Sequence, residues 1–212
     1  LLESIESGQW VATEAARDLT VRDPSHQAGW GVEMGDLDND GDLDIVSSFG
    51  KWENLPETMD GYDEINPSAQ HDAVYIMNDE GTFDEVAADW KLDDPGIGRG
   101  LVLADLNNDG WLDIIRRRIF DDPIVHLSVC DESAWLTVYL EDTQTANREG
   151  IGARVQVTIA EKTWTRWIRA GGTSISSSGP PVAHFGLGDH DSIDSLTVEW
   201  IDGSVSTYTD VP

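Results

Sequence analysis

The sequence has few of the residues that bind nucleic acid, form disulfides or cross membranes. Only 13 of its 212 residues are Lys or Arg, against 41 Asp and Glu, which leaves a formal net charge of -28. So acidic a chain is repelled by nucleic acid and by anionic membranes, and it attracts cations instead. Cys130 is the single cysteine, so no intrachain disulfide forms. No run of about 18 apolar residues predicts a membrane-spanning helix.

The acidic residues are mostly Asp, 27 against 14 Glu, and only three of the basic residues are Lys. Two bound divalent cations would neutralise only a small part of this charge, so most of it covers the surface. High salt removes the self-repulsion of such a surface, because the Debye length falls to about 3 Å at 1 M. The composition therefore favours a halophilic or marine source. Extracellular calcium proteins are often acidic as well, and this alternative stays open.

Sequence signatures of catalysis are also missing. The chain contains no G-x-S-x-G, no H-E-x-x-H and no phosphate-binding loop. Its five histidines have no paired spacing, and His184, in the segment HFGLG, is expected to be a hydrogen-bonded structural residue. These absences predict a protein that is not an enzyme.

An internal repeat organises the first part of the chain. Residues 31–46 (GVEMGDLDNDGDLDIV) and residues 100–115 (GLVLADLNNDGWLDII) align with a constant offset of 69. A weaker similarity links residues 9–19 to residues 82–92 at an offset of 73. In each block β-branched residues follow an Asp-rich loop and helical periodicity is absent, which indicates strand, tight loop and strand. Each repeat is therefore predicted to form a small antiparallel sheet.

The Asp-rich loops have the spacing of calcium ligands. In the first loop, Asp36–Asp44, carboxylates stand at positions 1, 3, 5 and 9, and Gly41 at position 6 allows a sharp turn. Oxygen donors at alternate positions curl around a hard cation such as Ca²⁺. The second loop, Asp105–Asp113, has an Asn at position 3, so weaker binding is expected there. Counting main-chain carbonyl groups at position 7, the two predicted sites comprise Asp36, Asp38, Asp40, Asp42, Asp44, Asp105, Asn107, Asp109, Trp111 and Asp113.

These loops differ from an EF-hand, which needs a Glu at position 12 and flanking helices. Position 12 is Ser47 in the first loop and Arg116 in the second. The closing carboxylate is therefore predicted to be Asp44 or Asp113, as in β-hairpin calcium loops. Asp, Asn and Gly also favour polar turns without any metal. We favour the metal because five carboxylates within nine residues repel one another strongly without a cation.

The composition changes at about residue 133, where alternating β-rich segments replace the Asp-rich loops. Strands are predicted at residues 135–140, 153–159, 163–168, 182–185, 196–201 and 205–209. Several short strands with this spacing favour a sandwich or a barrel. We place the domain boundary between the segments 1–130 and 131–212.

Two further clusters are candidates for surface functions. Exposed aromatic rings stack on sugars, but strand alternation places Trp164 and Trp167 on opposite faces, so one of them is expected in the core. The basic cluster Arg116–Arg118 is expected to form ion pairs at the surface.

Several of these motifs resemble known families. Residues 31–46, 100–115 and 75–92 resemble the FG-GAP, or VCBS, calcium repeats of integrin-type β-propellers. The segments ANREGIGARV (146–155), HFGLG (184–188) and LTVEW (196–200) resemble the ASPIC/UnbV domain that ends cartilage acidic protein 1 and its bacterial relatives. The resemblance implies an all-β fold, with two β-propeller-type blades as a partial propeller with calcium-binding hairpin loops, then a small β-sandwich-like domain.

A propeller closes with about four to eight blades, so two blades are too few. The chain starts at Leu1 without a Met, and we expect it to be the C-terminal part of a longer protein or to be completed by other blades or subunits.

The motifs and the resemblance together predict a secreted calcium-binding interaction or adhesion module without catalytic activity. Its expected location is the cell surface or the matrix, with the periplasm as an alternative, and its expected partner is a protein or a glycan. Two other functions stay open. One is a carbohydrate-binding accessory region of a polysaccharide-active or matrix enzyme, and the other is a structural subunit of a larger extracellular assembly.

Overall fold

The computed structural model describes residues 2–6, 9–20, 27–52, 68–129, 132–172 and 176–211. Within these ranges the chain is all-β, with antiparallel strand pairs, no α-helix and no sheet closed into a barrel. Cys130 and the predicted boundary between residues 130 and 131 lie outside the described residues.

The first part of the chain forms eleven strands within the described residues. They are β1 (Leu2–Glu6), β2 (Gln9–Ala12), β3 (Gly29–Gly35), β4 (Asp44–Phe49), β5 (Gln70–His71), β6 (Ala73–Met77), β7 (Phe83–Glu85), β8 (Pro95–Gly96), β9 (Gly98–Ala104), β10 (Asp113–Arg118) and β11 (Ile124–His126). The larger sheets have the strand orders β3-β4-β6-β7 and β11-β10-β9, and β1-β2 and β5-β8 form two-stranded pairs.

The sequence repeat is a structural repeat. The pair β3-β4 places Gly35 opposite Asp44, and the pair β9-β10 places Ala104 opposite Asp113, which is the same register shifted by 69 residues. Both loops therefore join two antiparallel strands at equivalent points, as the strand-loop-strand pattern predicts.

The weaker similarity at an offset of 73 also corresponds to a shared turn. The N–H of Arg17 donates to the carbonyl of Thr13, and the N–H of Trp90 donates to the carbonyl of Val86 in the same way. The repeat therefore extends beyond the Asp-rich loops to a second kind of turn.

The two loop-bearing sheets pack against each other over a shared apolar core. It contains Val46 and Val74 from one sheet and Leu101 and Ile114 from the other, all at most 4% exposed. A Cβ at Gly31 would lie only 2.8 Å from the Cβ of Leu101, so a glycine on β3 allows close approach. This packing fixes the two loops next to each other.

The prediction that Arg116–Arg118 form ion pairs at the surface is wrong for Arg116, which forms its ion pairs in the interior. Arg116 is only 2% exposed, and its guanidinium binds Asp72 at 2.8 Å and Asp94 at 3.0 Å. Its Nη2 also lies 2.7 Å from Nε2 of His126. Arg117 is exposed, whereas Arg118 pairs with a neighbouring Asp. Arg116 was misplaced because its acidic partners come from distant segments, which strand alternation alone does not reveal.

The C-terminal region, residues 132–211, contains all six predicted strands with shifted ends. They are β12 (Ala134–Tyr139), β13 (Arg154–Ile159), β14 (Lys162–Trp167), β15 (Val182–Gly188), β16 (Ile193–Glu199) and β17 (Val205–Val211). They form a pair, β12-β15, and a four-stranded sheet, β14-β13-β16-β17. One core that includes Val138, Val155, Phe185 and Val198 joins both sheets.

Candidate metal centre

The first loop brings three of its predicted ligands together. Asp36, Asp38 and Asp40 each offer a carboxylate oxygen, and these oxygens lie within 4.8 Å of one another. The backbone is left-handed at Asn39 (φ 58°) and at Gly41 (φ 98°), which lets the loop curl inward. The alternate spacing seen in the sequence therefore corresponds to a convergence of carboxylates.

Asp36 is the most deeply buried member of this cluster, with 1% of its surface exposed. Its Oδ2 accepts the N–H of Gly41 at 3.0 Å and the N–H of Gly186 at 2.8 Å. Its Oδ1 is buried and has no hydrogen-bond partner among the described residues. Burial raises the pKa of Asp36 to about 6, although the Gly186 hydrogen bond and Arg166 oppose the rise. A buried, unpaired carboxylate oxygen is costly, so the site favours a positive charge.

Asp44 ties the loop to the next strand of the sheet. Its Oδ2 accepts the N–H of Leu37 at 2.7 Å, and its Oδ1 accepts the N–H of Met77 at 2.9 Å. Burial raises the pKa of Asp44 to about 8 despite these two bonds. Each carboxylate oxygen has a second lone pair, so the bonds leave room for a cation. The role of Asp44 as closing ligand stays a prediction.

The second loop has the same frame of hydrogen bonds. Asp113 accepts the N–H of Leu106 at 2.9 Å and the N–H of Ser128 at 2.8 Å. Asp105 accepts the N–H of Gly110 at 2.9 Å, as Asp36 does from Gly41 in the first loop. The frame therefore follows the repeat in the sequence.

The chemistry of the second loop is different. The side-chain amide of Asn107 donates to Oδ2 of Asp109 at 2.7 Å, which occupies one of the oxygens expected to face a cation. Only Asp105 and Asp109 supply carboxylates from positions 1, 3 and 5. Within the described residues, this loop has no group of three carboxylates comparable to that of the first loop.

The residues at position 7 were predicted to contribute carbonyl groups, and this stays a prediction. Their N–H groups donate to the position-5 carboxylates, from Asp42 to Asp40 at 2.8 Å and from Trp111 to Asp109 at 3.0 Å. The carboxylate of Asp42 forms an ion pair with Lys162 at 3.3 Å. Its side chain thus faces the C-terminal region.

Contacts from the C-terminal region were not foreseen from the sequence. The N–H of Gly188 donates to the carbonyl of Asn39 at 2.9 Å, beside the bond from Gly186 to Asp36. Nε2 of His184 lies 2.9 Å from the carbonyl of Gly110 in the second loop. His184 is buried and hydrogen-bonded, as predicted. The strand that contains HFGLG therefore contacts both loops.

Basic side chains from the same region surround the first loop. Nη2 of Arg166 donates to the carbonyl of Gly41 at 3.0 Å and lies 3.6 Å from Oδ2 of Asp36. Arg169 lies 3.4 Å from Glu33, which precedes the loop on β3. A signal was present in the sequence, because three of the 13 basic residues fall within residues 162–169. Nothing in the sequence, however, indicated which acidic residues they meet.

Most of the C-terminal strands belong to a segment whose sequence is similar to a known protein family. Residues 143–212 match the ASPIC and UnbV family. This ASPIC/UnbV segment includes β13 to β17, and therefore Arg166 and Gly186, which contact the first loop. No curated protein matches the chain. In the described residues, no helix has the length and apolar character needed to span a membrane.

The donor set of the first loop fits a hard cation. All side-chain donors are oxygens, which Ca²⁺ prefers, and neither a thiol nor an imidazole stands among them. Asp36 supplies a buried oxygen without a partner, while Asp38 and Asp40 supply oxygens at the more open side. The carboxylates of Asp36, Asp38 and Asp40 would hold the ion, whose charge would offset their mutual repulsion.

A cleft of about 290 Å³ lies between β3, β9 and the C-terminal region. It is lined by two exposed aromatic side chains, Tyr139 (71%) and Trp167 (57%). Thr137 Oγ1 and His184 Nδ1, from two residues that line it, are buried and without hydrogen-bond partners among the described residues. Trp164 instead packs against the core, so alternation places the two tryptophans as predicted.

Proposed function

We propose that the first loop is a Ca²⁺ site formed by Asp36, Asp38 and Asp40. The observation that carries this proposal is the convergence of three carboxylates around the buried, unpartnered Oδ1 of Asp36. Asp44 and the carbonyl of Asp42 would complete the shell. The second loop would be a weaker site because Asn107 replaces a carboxylate.

In this proposal the ion is structural, and the chain is a calcium-stabilised interaction module outside the cell without catalytic activity. The two sheets with identical register support an assignment as FG-GAP/VCBS-type propeller blades. The ASPIC/UnbV match and the acidic surface suit a secreted protein whose partner is a protein or a glycan.

The calcium site is tested by thermal unfolding and calorimetric titration of the full chain. At a hundredfold excess over Kd, a ligand that binds only the folded state stabilises it by about 2.7 kcal/mol. For a chain of this size we expect Ca²⁺ to raise Tm by roughly 5–10 °C over a metal-free sample in EDTA. The variant Asp38→Asn, in which binding is expected to weaken about tenfold, should lose about half of this shift, while Asp79→Asn, a control in the β6-β7 turn, should keep it. Equal melting of the wild type with and without Ca²⁺ would refute the site.

The cleft favours glycan binding as a second candidate function. Exposed aromatic rings beside polar side chains such as Thr165 and Arg169 are the composition of a site that stacks on a sugar ring and binds its hydroxyl groups. A glycan array probed with the wild type and with Trp167→Ala tests this function. Binding should disappear in Trp167→Ala and persist in Trp90→Ala, which removes an exposed tryptophan outside the cleft. Binding that persists in Trp167→Ala, or no binding by the wild type, excludes the cleft as the glycan site.

A further inference from the structure

The strand β15 uses its two edges differently. One edge pairs with β12, and the other lies on the first loop, where Gly186 donates to Asp36 and Gly188 donates to Asn39. Residues two apart in a strand direct their N–H groups to the same edge. On the edge of β15 that faces away from β12, the N–H groups of Gly186 and Gly188 therefore have their acceptors in the first loop.

The approach of β15 to the loop depends on a glycine. A Cβ at residue 186 would lie 2.3 Å from Cα and the carbonyl carbon of Asn39. Real Cβ atoms do not approach backbone so closely, so any other residue at position 186 must move the strand or the loop.

Tryptophan side chains cover the turn glycine of each loop. A Cβ at Gly41 would lie 2.5 Å from Nε1 of Trp164, and a Cβ at Gly110 would lie 1.8 Å from Nε1 of Trp135. The same position of the repeat thus meets the same kind of side chain, once from β14 and once from β12. A tryptophan of the C-terminal region therefore packs on the turn of each loop and restricts its conformation.

Asp36 belongs both to the carboxylate cluster and to the contact with β15. The orientation that points Oδ2 at Gly186 is also the one in which Oδ1 is buried without a partner and Asp38 and Asp40 are close. Two events that need the same conformation of one loop stabilise each other, and the coupling is reciprocal. The positive charge of Arg166 opposes a second cation nearby, so this coupling arises from geometry and not from charge.

We propose that the ASPIC/UnbV segment positions the ligands of the first calcium site. Its strand β15 holds the loop in the shape that binds the ion, and the bound ion fastens the segment to the loop. This inference rests on the proposed function because it concerns the same site.

The first experiment uses a matched pair of glycine variants in the full chain. In Gly186→Ala the new Cβ meets Asn39, whereas in Gly179→Ala the nearest atom to the new Cβ is 3.8 Å away. Calorimetric titration with Ca²⁺ should show about tenfold weaker binding for Gly186→Ala, within the usual range of coupling between sites. Gly179→Ala should bind as the wild type does. Equal affinity of folded Gly186→Ala and the wild type overturns the inference.

The second experiment needs no variant and decides the case even if Gly186→Ala does not fold. Amide hydrogen exchange of the wild type, followed by NMR with and without Ca²⁺, should slow at Gly186 and Gly188 when the ion is bound. The amides of Thr207 and Thr209 on β17, the edge strand opposite β14 in the four-stranded sheet, serve as an internal reference. Calcium binding without any slowing at Gly186 and Gly188 overturns the inference but leaves the proposed function standing. A wild type that binds no Ca²⁺ overturns both.

Discussion

In both loops the Asp at position 9 accepts two backbone N–H groups, and the Asp at position 1 accepts the N–H of the glycine at position 6. The two loops differ at position 3. Asp38 joins a cluster of carboxylates in the first loop, whereas the side-chain amide of Asn107 donates to Asp109 in the second. Positions 1, 6 and 9 thus build the same hydrogen-bonded frame in both loops. The residue at position 3 decides whether a third carboxylate joins those of positions 1 and 5.

The surroundings of the two loops also differ. Leu37 of the first loop is 5% exposed, and its equivalent Leu106 in the second loop is 46% exposed. The first loop is covered by β15 and Arg166, and the second meets the C-terminal region mainly through Gly110. Electrostatic interactions strengthen as water is excluded, so the first loop gains more from a cation.

Removing the Asp at position 9 of either loop should have the largest effect on stability, because this residue holds the hydrogen-bonded frame that the two loops share. Asp44→Ala and Asp113→Ala each leave two N–H groups without an acceptor, which should cost about 3 kcal/mol of unfolding free energy. Urea denaturation in EDTA measures this loss without any contribution from a metal. If one variant lost less than about 1 kcal/mol while the other lost about 3 kcal/mol, the two frames would not be equivalent.

Exchanging the residues at position 3 between the two loops should have the next largest effect. Asp38→Asn should weaken calcium binding at the first loop about tenfold, and Asn107→Asp should strengthen it at the second by a similar factor, because ligand charge tunes affinity. Calorimetric titration of both single variants and of the double variant measures the change. Unchanged affinities would show that position 3 does not distinguish the two loops.

A smaller effect is expected from the cation beside the first loop. Arg166→Gln removes positive charge next to Asp36, and this loss matters most when no Ca²⁺ is bound. The difference in unfolding free energy between Ca²⁺ and EDTA should therefore widen by about 1 kcal/mol. Arg117→Gln, an exposed arginine on β10, is the control and should leave the difference unchanged. A narrower difference in Arg166→Gln would mean that Arg166 supports ion binding.

The smallest effect is expected on the pH dependence of stability, through His126, which contacts the buried Arg116. Burial lowers the pKa of His126, with further lowering by Arg116 and Arg118 and an opposing effect of Asp94. The unfolded state therefore binds a proton more readily, so the stability from neutral His126 is complete above pH of about 6.5 and declines as the pH falls below it.

His126→Gln should make the loss of stability between pH 7.5 and pH 5.5 smaller than it is in the wild type. Urea denaturation at both pH values measures it, with the exposed His190→Gln as control. An identical loss in His126→Gln and the wild type would show that the Arg116 network does not depend on a neutral His126.

Much of the local structure could be predicted from the sequence. Asn, Asp and Gly at fixed positions specify the loop turns, and both Asn39 and Asn108 adopt the left-handed backbone that such turns need. The six C-terminal strands were found with ends displaced by a few residues, because alternation marks a strand better than its limits. The register of each loop-bearing hairpin follows as well, since a tight loop fixes how its flanking strands pair.

By itself, then, the sequence determined two Asp-rich hairpin loops and a strand-rich C-terminal region, through hydrogen bonds between residues close in the chain. Only the tertiary structure decided that Arg116 is buried with Asp72 and that Gly186 binds Asp36 from 150 residues away. Such contacts depend on how whole sheets pack, and a single sequence carries no local signal of that packing. The first loop is therefore specified locally, and its surroundings are specified by the fold.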